Sequence, residues 1–352
     1  MKNKVCSCVV IIICLLFSCS NWLESAEPNA YHWKGQAQFF EGWYFKVSDP
    51  ATLKSFLFIY AVYNPAATAS DSTSFMMAGN NSLGTASLIY QEYPVETFSA
   101  RHDIFDIAVS AENRAWGNVQ VLHAEGSIAD VSQHCSWSFD MEINEQWPDT
   151  MGWMGTLQNL QTYWHVGAMK ARATGWIQWN EDYFEFENII GYQEKNWGEE
   201  FPESWYWLQA NNFDKPEACC LSVGAASMPI GQLLFKACGI GFYYRDQLYT
   251  FSFPQQPAGI NADVAPGSWH IQGRRGNFKI VIDGSCDSEQ LMNLMNPTIS
   301  GIKPWTWESV NGTVRVRLYR KGVLRWKLLV DATSNLAGVE FGGRKWLGWN
   351  NE

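Results

Sequence analysis

Several widespread functional signatures are absent from this chain of 352 residues. It has no GxSxG, P-loop or HExxH motif, so serine-hydrolase, phosphate-loop and zinc-protease chemistry have no support. Runs of Lys and Arg are also missing and the net charge is −10, which argues against a partner with a phosphate backbone. We therefore expect no nucleic-acid partner.

Metal and redox signals are equally scarce. The six histidines are scattered without ligand spacing, and the simplest expectation for each is a structural role. The cysteines beyond the N-terminal segment are odd in number, without CxxC or Cys/His spacing, and they are Cys135, Cys219, Cys220, Cys238 and Cys286. They are expected to be small buried hydrophobic residues, although one disulfide pair stays open. We expect no metal and no cofactor.

Long apolar runs are confined to the N-terminus. Two lysines precede an apolar stretch at 5–17, which has the length of a signal-peptide core and is short for a membrane span. The segment "LFSC" (16–19) resembles a lipoprotein cleavage box with Cys19 as the lipidated residue, and plain cleavage near Ala26 is the alternative. Residues 1–26 are therefore predicted to be a leader, and the protein to be secreted, periplasmic or tethered to a membrane through Cys19.

Aromatic residues are unusually abundant. The chain holds 19 Trp, 14 Tyr and 20 Phe. Rigid rings cover a large apolar area at little cost in side-chain entropy, so they suit the wall of an open, apolar cavity. A β core rich in rings is the alternative explanation.

Short runs of β-branched and aromatic residues predict an all-β fold. Asn, Asp and Gly separate these runs at hairpin spacing, and the runs are 55–63, 173–192, 204–213, 239–253, 268–284 and 312–332. The length favours two β units, predicted at 27–190 and 191–352. One modest helix is predicted at 288–296, with its Met and Leu residues in the core.

The segment "IIGYQEKNWGEEFPESWYWLQANNF" (189–213) mixes carboxylates with indole and phenol rings. A carboxyl group in an apolar pocket loses hydration, which raises its pKa and allows it to donate a proton near neutral pH. Ring faces stabilise a developing cation. Together these groups suit protonation of a carbon–carbon double bond. The alternative is that Glu194 and Lys195 form a structural ion pair at the crossover between the two units.

Five segments carry a family resemblance. They are "YHWKG" (31–35), "FFEGWYFKV" (39–47), "TGWIQWNEDYFEFENIIGYQEKNWGEEFPESWYWLQANNF" (174–213), "APGSWHI" (265–271) and "VDATSNLAGVEFGGRKWLGW" (330–349). In order and spacing these segments resemble the tocopherol cyclase family over nearly the whole mature chain. The resemblance implies two tandem lipocalin-like β-barrels packed against each other, a fold also suggested for carotenoid 1,2-hydratases. Glu199 and Glu200 stand where the plant pattern has glycines.

The resemblance also implies a reaction and its residues. Plant members protonate a prenyl double bond of a phytyl-hydroquinone, and the phenol oxygen then closes a chromanol ring. By this resemblance the prenyl-lipid substrate would meet Glu194 as the first choice of proton donor and Glu41 as the second. The expected ligand-binding residues are Trp43, Tyr44, Trp197, Trp205, Trp207, Gln209 and His165. Two alternatives stay open: a hydratase-like relative that adds water to an isoprenoid double bond, and a carrier of isoprenoid lipids without catalysis.

Overall fold

The computed structural model describes residues 27–66, 72–81, 86–158, 160–230 and 233–347. The predicted leader with Cys19 lies outside the described residues, so export and lipidation stay predictions. Within these ranges the chain forms strands and four 3-10 helices, at Val95–Thr97, Gly152–Thr156, Ser288–Gln290 and Arg344–Trp346. No helix in the described part of the chain is long and apolar enough to cross a membrane. The all-β prediction is confirmed.

The first antiparallel sheet contains eleven strands. In chain order they are β1 (Phe40–Asp49), β2 (Lys54–Tyr63), β3 (Thr73–Asn80), β4 (Ser87–Tyr93), β5 (Ser99–Ala100), β6 (Phe105–Ala108), β7 (Arg114–Gly117), β8 (Val121–Ala129), β9 (His134–Trp147), β10 (Thr162–Trp179) and β11 (Asp182–Gly198). Their order across the sheet is β4-β3-β2-β1-β11-β10-β9-β8-β7-β6-β5.

The second antiparallel sheet contains ten strands. They are β12 (Ser204–Ala210), β13 (Ala218–Ile230), β14 (Leu233–Tyr244), β15 (Gln247–Phe253), β16 (Gly259–Ala265), β17 (Ser268–Arg275), β18 (Phe278–Ser285), β19 (Met292–Thr298), β20 (Gly301–Lys321) and β21 (Trp326–Gly343). Their order is β15-β14-β13-β12-β21-β20-β18-β17-β16, and β19 pairs separately with β20.

Both sheets follow one plan. In each, the first strand pairs with the last, and the open edges are the fourth and fifth strands of that sheet: β4 and β5, then β15 and β16. Among the described strands the two edges of each sheet do not pair with each other, so the second sheet, like the first, is not closed by strand pairing, and two tandem barrels are not confirmed. Sheet membership changes between Gly198 and Ser204. The domain boundary at 190/191 stays a prediction.

The predicted hairpin at 173–192 is present. β10 ends at Trp179 and β11 begins at Asp182, with Asn180 in the left-handed conformation at φ 55°. Asn tolerates this conformation better than most residues with a Cβ, which explains its place in the turn. Along β11, Phe186 is buried and the residues on either side of it, Glu185 and Glu187, are exposed. This is the alternation expected of a strand with one apolar face.

The predicted helix at 288–296 is wrong. Only the 3-10 turn Ser288–Gln290 is helical, and the remainder enters β19, which pairs with β20. Met292 and Leu294 are buried while Asn293 between them is exposed, so the apolar residues follow a period of two. A window this short fits both the helical period of 3.6 residues and the strand period of two. Pairing with the long strand β20 selects the strand.

Three apolar clusters stabilise the fold. One fills the inside of the first curled sheet and a second fills the inside of the second. A third lies between the sheets and includes Phe40, Tyr44, Tyr192, Trp207 and Leu294. Both faces of β1 and β11 are consequently buried, one against the first sheet's interior and the other against the second sheet.

Alternation along these two strands separates neighbouring charges. Lys195 points into the first sheet, where its Nζ lies 2.6 Å from Glu41 Oε1, and both side chains are 0% exposed. His32 approaches the same carboxylate, with Nδ1 at 2.9 Å from Oε1 and its backbone N–H donating to Oε2 at 2.9 Å. The next residue back, Glu194, points the other way. The ion pair is therefore Lys195–Glu41, and Glu194 is not part of it.

We predict that Lys195→Met lowers the free energy of unfolding by about 3–5 kcal/mol, because it leaves the Glu41 carboxylate buried without its cation. Chemical denaturation measures this loss. The double variant Glu41→Leu with Lys195→Met removes both charges, and we expect it to recover most of the stability. A single variant as stable as the wild-type protein contradicts the assignment of this pair.

Candidate active site

A cleft opens between the two sheets and encloses about 1270 Å³, counted out to its open mouth. Its walls come from β1, β2, β3, β10 and β11 on one side and from β12, β13, β14, β19, β20 and β21 on the other. Most of the lining is apolar, as at Phe40, Ile59, Phe75, Met77 and Leu294. Such a space suits a long hydrocarbon ligand.

Glu194 projects from β11 into this cleft, and its side chain is held by three donors. Its Oε2 accepts hydrogen bonds from Trp164 Nε1 at 2.9 Å, Trp207 Nε1 at 2.8 Å and the Tyr192 hydroxyl at 2.5 Å. Burial raises the pKa of Glu194 to about 7, and the three donors hold it lower than burial alone would. The neutral acid can carry its proton on Oε1, the oxygen that receives none of these bonds.

Two glycines leave room for the tryptophans that hold this acid. A Cβ on Gly224 of β13 would lie 2.7 Å from the Trp164 ring. A Cβ on Gly338 of β21 would likewise collide with the Trp207 ring. Because neither position can carry a side chain without moving an indole, both glycines keep the rings within reach of Glu194.

A second acidic group lines the same cleft. Glu308 on β20 and Glu340 on β21 are directly opposite in the antiparallel register, and both line the wall. The Tyr44 hydroxyl donates to Glu308 Oε1 at 2.6 Å, and Trp205 Nε1 donates to Glu340 Oε1 at 2.5 Å.

Both carboxyls of this pair have raised pKa values. Burial raises the pKa of Glu308 to about 7. Burial, followed by the charge of Glu308, raises the pKa of Glu340 well above its usual range. Glu308 Oε2 has no hydrogen-bond partner among the described residues. At neutral pH the pair therefore behaves as one acid and one carboxylate.

The sequence analysis missed Glu308 and Glu340, although a signal for each was present. Glu308 stands in "PWTWES" (304–309), where a carboxylate lies among indoles, as Glu194 lies among rings in 189–213. Glu340 lies within the matched segment 330–349, beside Gly338. Their pairing depends on the register between β20 and β21, which no local pattern reveals.

Four of the expected site residues line the cleft: Glu194, Tyr44, Trp205 and Trp207. The Tyr44 and Trp207 rings lie 5.6 Å apart at an angle of 66°, an edge-to-face arrangement. Gln209 follows Trp207 on the same face of β12 but is fully buried outside the lining. Its amide nitrogen and oxygen find no hydrogen-bond partner among the described residues.

The other four expected site residues lie on the opposite face of β1, β10 and β11. Glu41 is in the ion pair with Lys195, and the Trp43 indole donates to the Asn29 carbonyl at 2.8 Å. Trp197 stacks on His32 at a centroid distance of 4.2 Å. Burial and then the charge of Lys195 lower the pKa of His165 to about 3, so it is neutral.

Of the two adjacent glutamates at 199 and 200, Glu200 supports the turn between the sheets with its side chain. Glu199 is exposed. Glu200 Oε1 accepts from Gln161 Nε2 at 3.0 Å, and its Oε2 accepts from the backbone N–H of Ile299 at 3.0 Å. Glu200 thus links β10 and the end of β19 and does not enter the cleft lining. All five cysteines of the described ranges are free thiols.

Comparison with known proteins identifies the family of this chain. The family model described as tocopherol cyclase-like matches residues 37–124 and 116–343. The chain belongs to the tocopherol cyclase-like family. An Oryza sativa subsp. japonica relative, named a probable chloroplastic tocopherol cyclase, is 28% identical over 375 aligned positions, covering 91% of this chain and 79% of the relative.

Solved structures support the same fold for this tocopherol cyclase-like chain. An AttH protein from Nitrosomonas europaea superposes with a TM-score of 0.56 at 12% identity, covering 92% of this chain and 98% of that one. Kievitone hydratase from Nectria haematococca superposes with a TM-score of 0.52 at 12% identity, covering 87% and 89%. At these identities the likeness concerns the fold alone.

The raised pKa of Glu194 predicts how the free energy of unfolding depends on pH. The folded pKa is about 7 and the ordinary value is 4.5, so ionisation of the buried acid costs stability as the pH rises from about 4.5 to 7. We predict that Glu194→Gln is more stable than the wild-type protein at pH 8 by about 2–4 kcal/mol. Near pH 4.5 the difference should vanish.

Denaturant unfolding of both proteins at the two pH values measures this difference, and the buried histidines cancel because both proteins contain them. The matched control is Glu185→Gln, an exposed glutamate on the same strand. A stability difference for Glu194→Gln that does not change with pH contradicts the raised pKa.

Proposed function

We propose that this protein closes a chromanol ring on a prenylated hydroquinone by acid catalysis. The observation that carries the proposal is a carboxyl group, Glu194, that is largely desolvated, held by three donors on one oxygen and faced by an apolar cleft. A proton donor with a pKa near the working pH is the most effective general acid. The family to which the chain belongs supports the same reaction class.

In the first step, Glu194 transfers its proton to one carbon of the prenyl double bond nearest the ring. The electron pair of the double bond forms the new C–H bond, and the other carbon becomes cationic. The carboxylate left behind is stabilised by Trp164, Trp207 and Tyr192, which already donate to its Oε2. The ring faces of Tyr44 and Trp207 stabilise the cation at about 1–2 kcal/mol each in the absence of water.

In the second step, the phenol oxygen attacks the cationic carbon and the ring closes. The phenol proton must leave, and the Glu308–Glu340 pair supplies the acceptor, since one of its two carboxyls is ionised near neutral pH. The atoms of the substrate balance, because one proton is added at carbon and one is lost at oxygen. The proton taken up by the Glu308–Glu340 pair must then pass back to Glu194 before the next turnover. The reaction is an isomerisation.

The apolar wall supports a long substrate tail. Phe40, Ile59, Phe75 and Met77 extend the cleft on the side of the first sheet, and Leu294 does so opposite them. Each methylene removed from water contributes about 0.8 kcal/mol to binding. The substrate would then lie between the two curled, lipocalin-like sheets, and the leader would deliver the protein to an extracytoplasmic membrane surface.

We predict that the wild-type protein, incubated with a prenylated hydroquinone in deuterated water, forms a chromanol with one deuterium on the protonated carbon. Glu194→Gln should lower kcat by about 10²–10⁴-fold, because it removes the general acid while the side-chain shape remains. Mass spectrometry and NMR of the product report both results. Glu185→Gln on the same strand is the control and should keep full turnover.

The other outcomes separate the competing functions. Full turnover by Glu194→Gln removes the acid assignment. A water adduct in place of the ring identifies a hydratase, and binding without turnover identifies a carrier.

A further inference from the structure

A second cavity opens at one end of the second sheet, beyond its apolar core. It measures about 1470 Å³ counted out to its open mouth. It adjoins the cleft, and the two share wall residues on β12, β13 and β14, namely Trp205, Tyr206, Ala225, Ala226, Ala237 and Cys238. Its lining continues to β16, one of the two open edges of this sheet. The inner surface is apolar at Tyr206, Ala225, Cys238, Ile260 and Val264. The reaction proposed above does not use this space.

Lys236 stands on the inner face of this sheet. Along β14, the residues at alternate positions from it are Cys238, Ile240 and Phe242, and all three belong to the second sheet's apolar core. Side chains two apart on a strand share a face, so Lys236 extends from the same face and reaches the cavity mouth, where it is exposed. A lysine that merely aids solubility would be expected on the outer face.

The charges of this cavity have one sign. Among the described residues that line it, the charged ones are Lys236 and Lys345, although the whole chain has a net charge of −10. The nearby carboxylate of Glu203 is already paired with Arg344 at 3.3 Å. Within the described ranges neither lysine forms an ion pair. The mouth is therefore complementary to an anion.

A hydrogen-bond donor without a partner lies beside these lysines. Trp346 lines the cavity, and its indole N–H is buried with no acceptor among the described residues. Lys345 Nζ lies 4.1 Å from the centre of the Trp346 ring, so the ammonium and the indole are adjacent. A buried donor of this kind calls for an acceptor from a ligand or water. Leu234 and Phe253, 53% and 46% exposed, add apolar surface at the lining.

We propose that this cavity binds a single-chain lipid with a carboxylate head, such as a fatty acid. The hydrocarbon chain lies against Tyr206, Ala225, Ile260 and Val264, and the carboxylate meets Lys236 and Lys345 and accepts from the Trp346 N–H. The site shares a wall with the cleft that holds Glu194, but Lys236, Val264 and Trp346 line the second cavity alone. The inference does not depend on the cyclisation reaction.

Isothermal titration calorimetry with dodecanoate and dodecanol tests the site, since the two ligands share a chain and differ in the head group. We expect the full-length protein to bind dodecanoate more tightly than dodecanol. Lys236→Met should weaken dodecanoate by about fivefold and leave dodecanol unchanged, because only the acid uses the charge. Lys327→Met, at an exposed lysine of β21 outside both lining sets, is the matched control and should change neither.

Two filling variants locate the ligand. Val264→Trp fills the second cavity and should weaken both ligands at least about tenfold, whereas Ala61→Trp narrows only the cleft and should leave dodecanoate binding intact. The proposal is overturned by the absence of dodecanoate binding, by equal binding of the acid and the alcohol, or by binding that survives Val264→Trp and is lost in Ala61→Trp. If Val264→Trp fails to fold, Lys236→Met still tests the proposal, because a variant that binds dodecanoate as tightly as the wild-type protein contradicts the role of Lys236.

Discussion

The structure depends on alternation along two strands that are buried on both faces. β1 and β11 lie side by side, so residues one apart in sequence enter different environments. The side chains on one face pack into the interior of the first sheet and include the fully buried Lys195–Glu41 ion pair. The other face presents Tyr44 and Glu194 to the second sheet. A single β ribbon thereby stabilises the fold and forms one wall of the candidate active site.

Burial of carboxyl groups determines the chemistry of the cleft. Three carboxyls, Glu194, Glu308 and Glu340, line one cleft and are buried, and burial is the main reason that their pKa values rise. Indole and phenol donors keep each acid from being stranded as an unpaired charge. The same donors stabilise the carboxylate that remains after proton transfer. Burial keeps the carboxyl of Glu194 largely protonated up to a pH of about 7, and the hydrogen-bond donors stabilise the carboxylate that forms when the proton leaves.

Much of the fold was readable from sequence because period-two patterns and turn residues are local. The hairpin at 173–192 follows from alternating rings and acids around Asn180. The segment 288–296 was misread because a short apolar run fits two periods. Closure of the sheets could not be predicted from sequence, because it depends on how strongly each sheet curls and so on whether its edge strands, such as β15 and β16, come close enough to pair.

The site was half readable for a related reason. Composition identified a region of acids and rings, and Glu194, Tyr44 and Trp207 lie in the cleft. Neither composition nor the family resemblance says which face a residue occupies, so Glu41 and His165 were grouped with them although they point away from the cleft. Glu308 and Glu340 come from strands far along the chain, and only tertiary packing brings them to Glu194.

The most direct test of the central claim is an NMR titration of the protein labelled with carbon-13 at the glutamate side-chain carboxyls. The Glu194 resonance is assigned by its absence from Glu194→Gln. The account predicts that this resonance titrates with a pKa of about 7. A Glu194 carboxyl that ionises near its ordinary value of 4.5 would contradict it, because the cleft would then hold no neutral acid to donate.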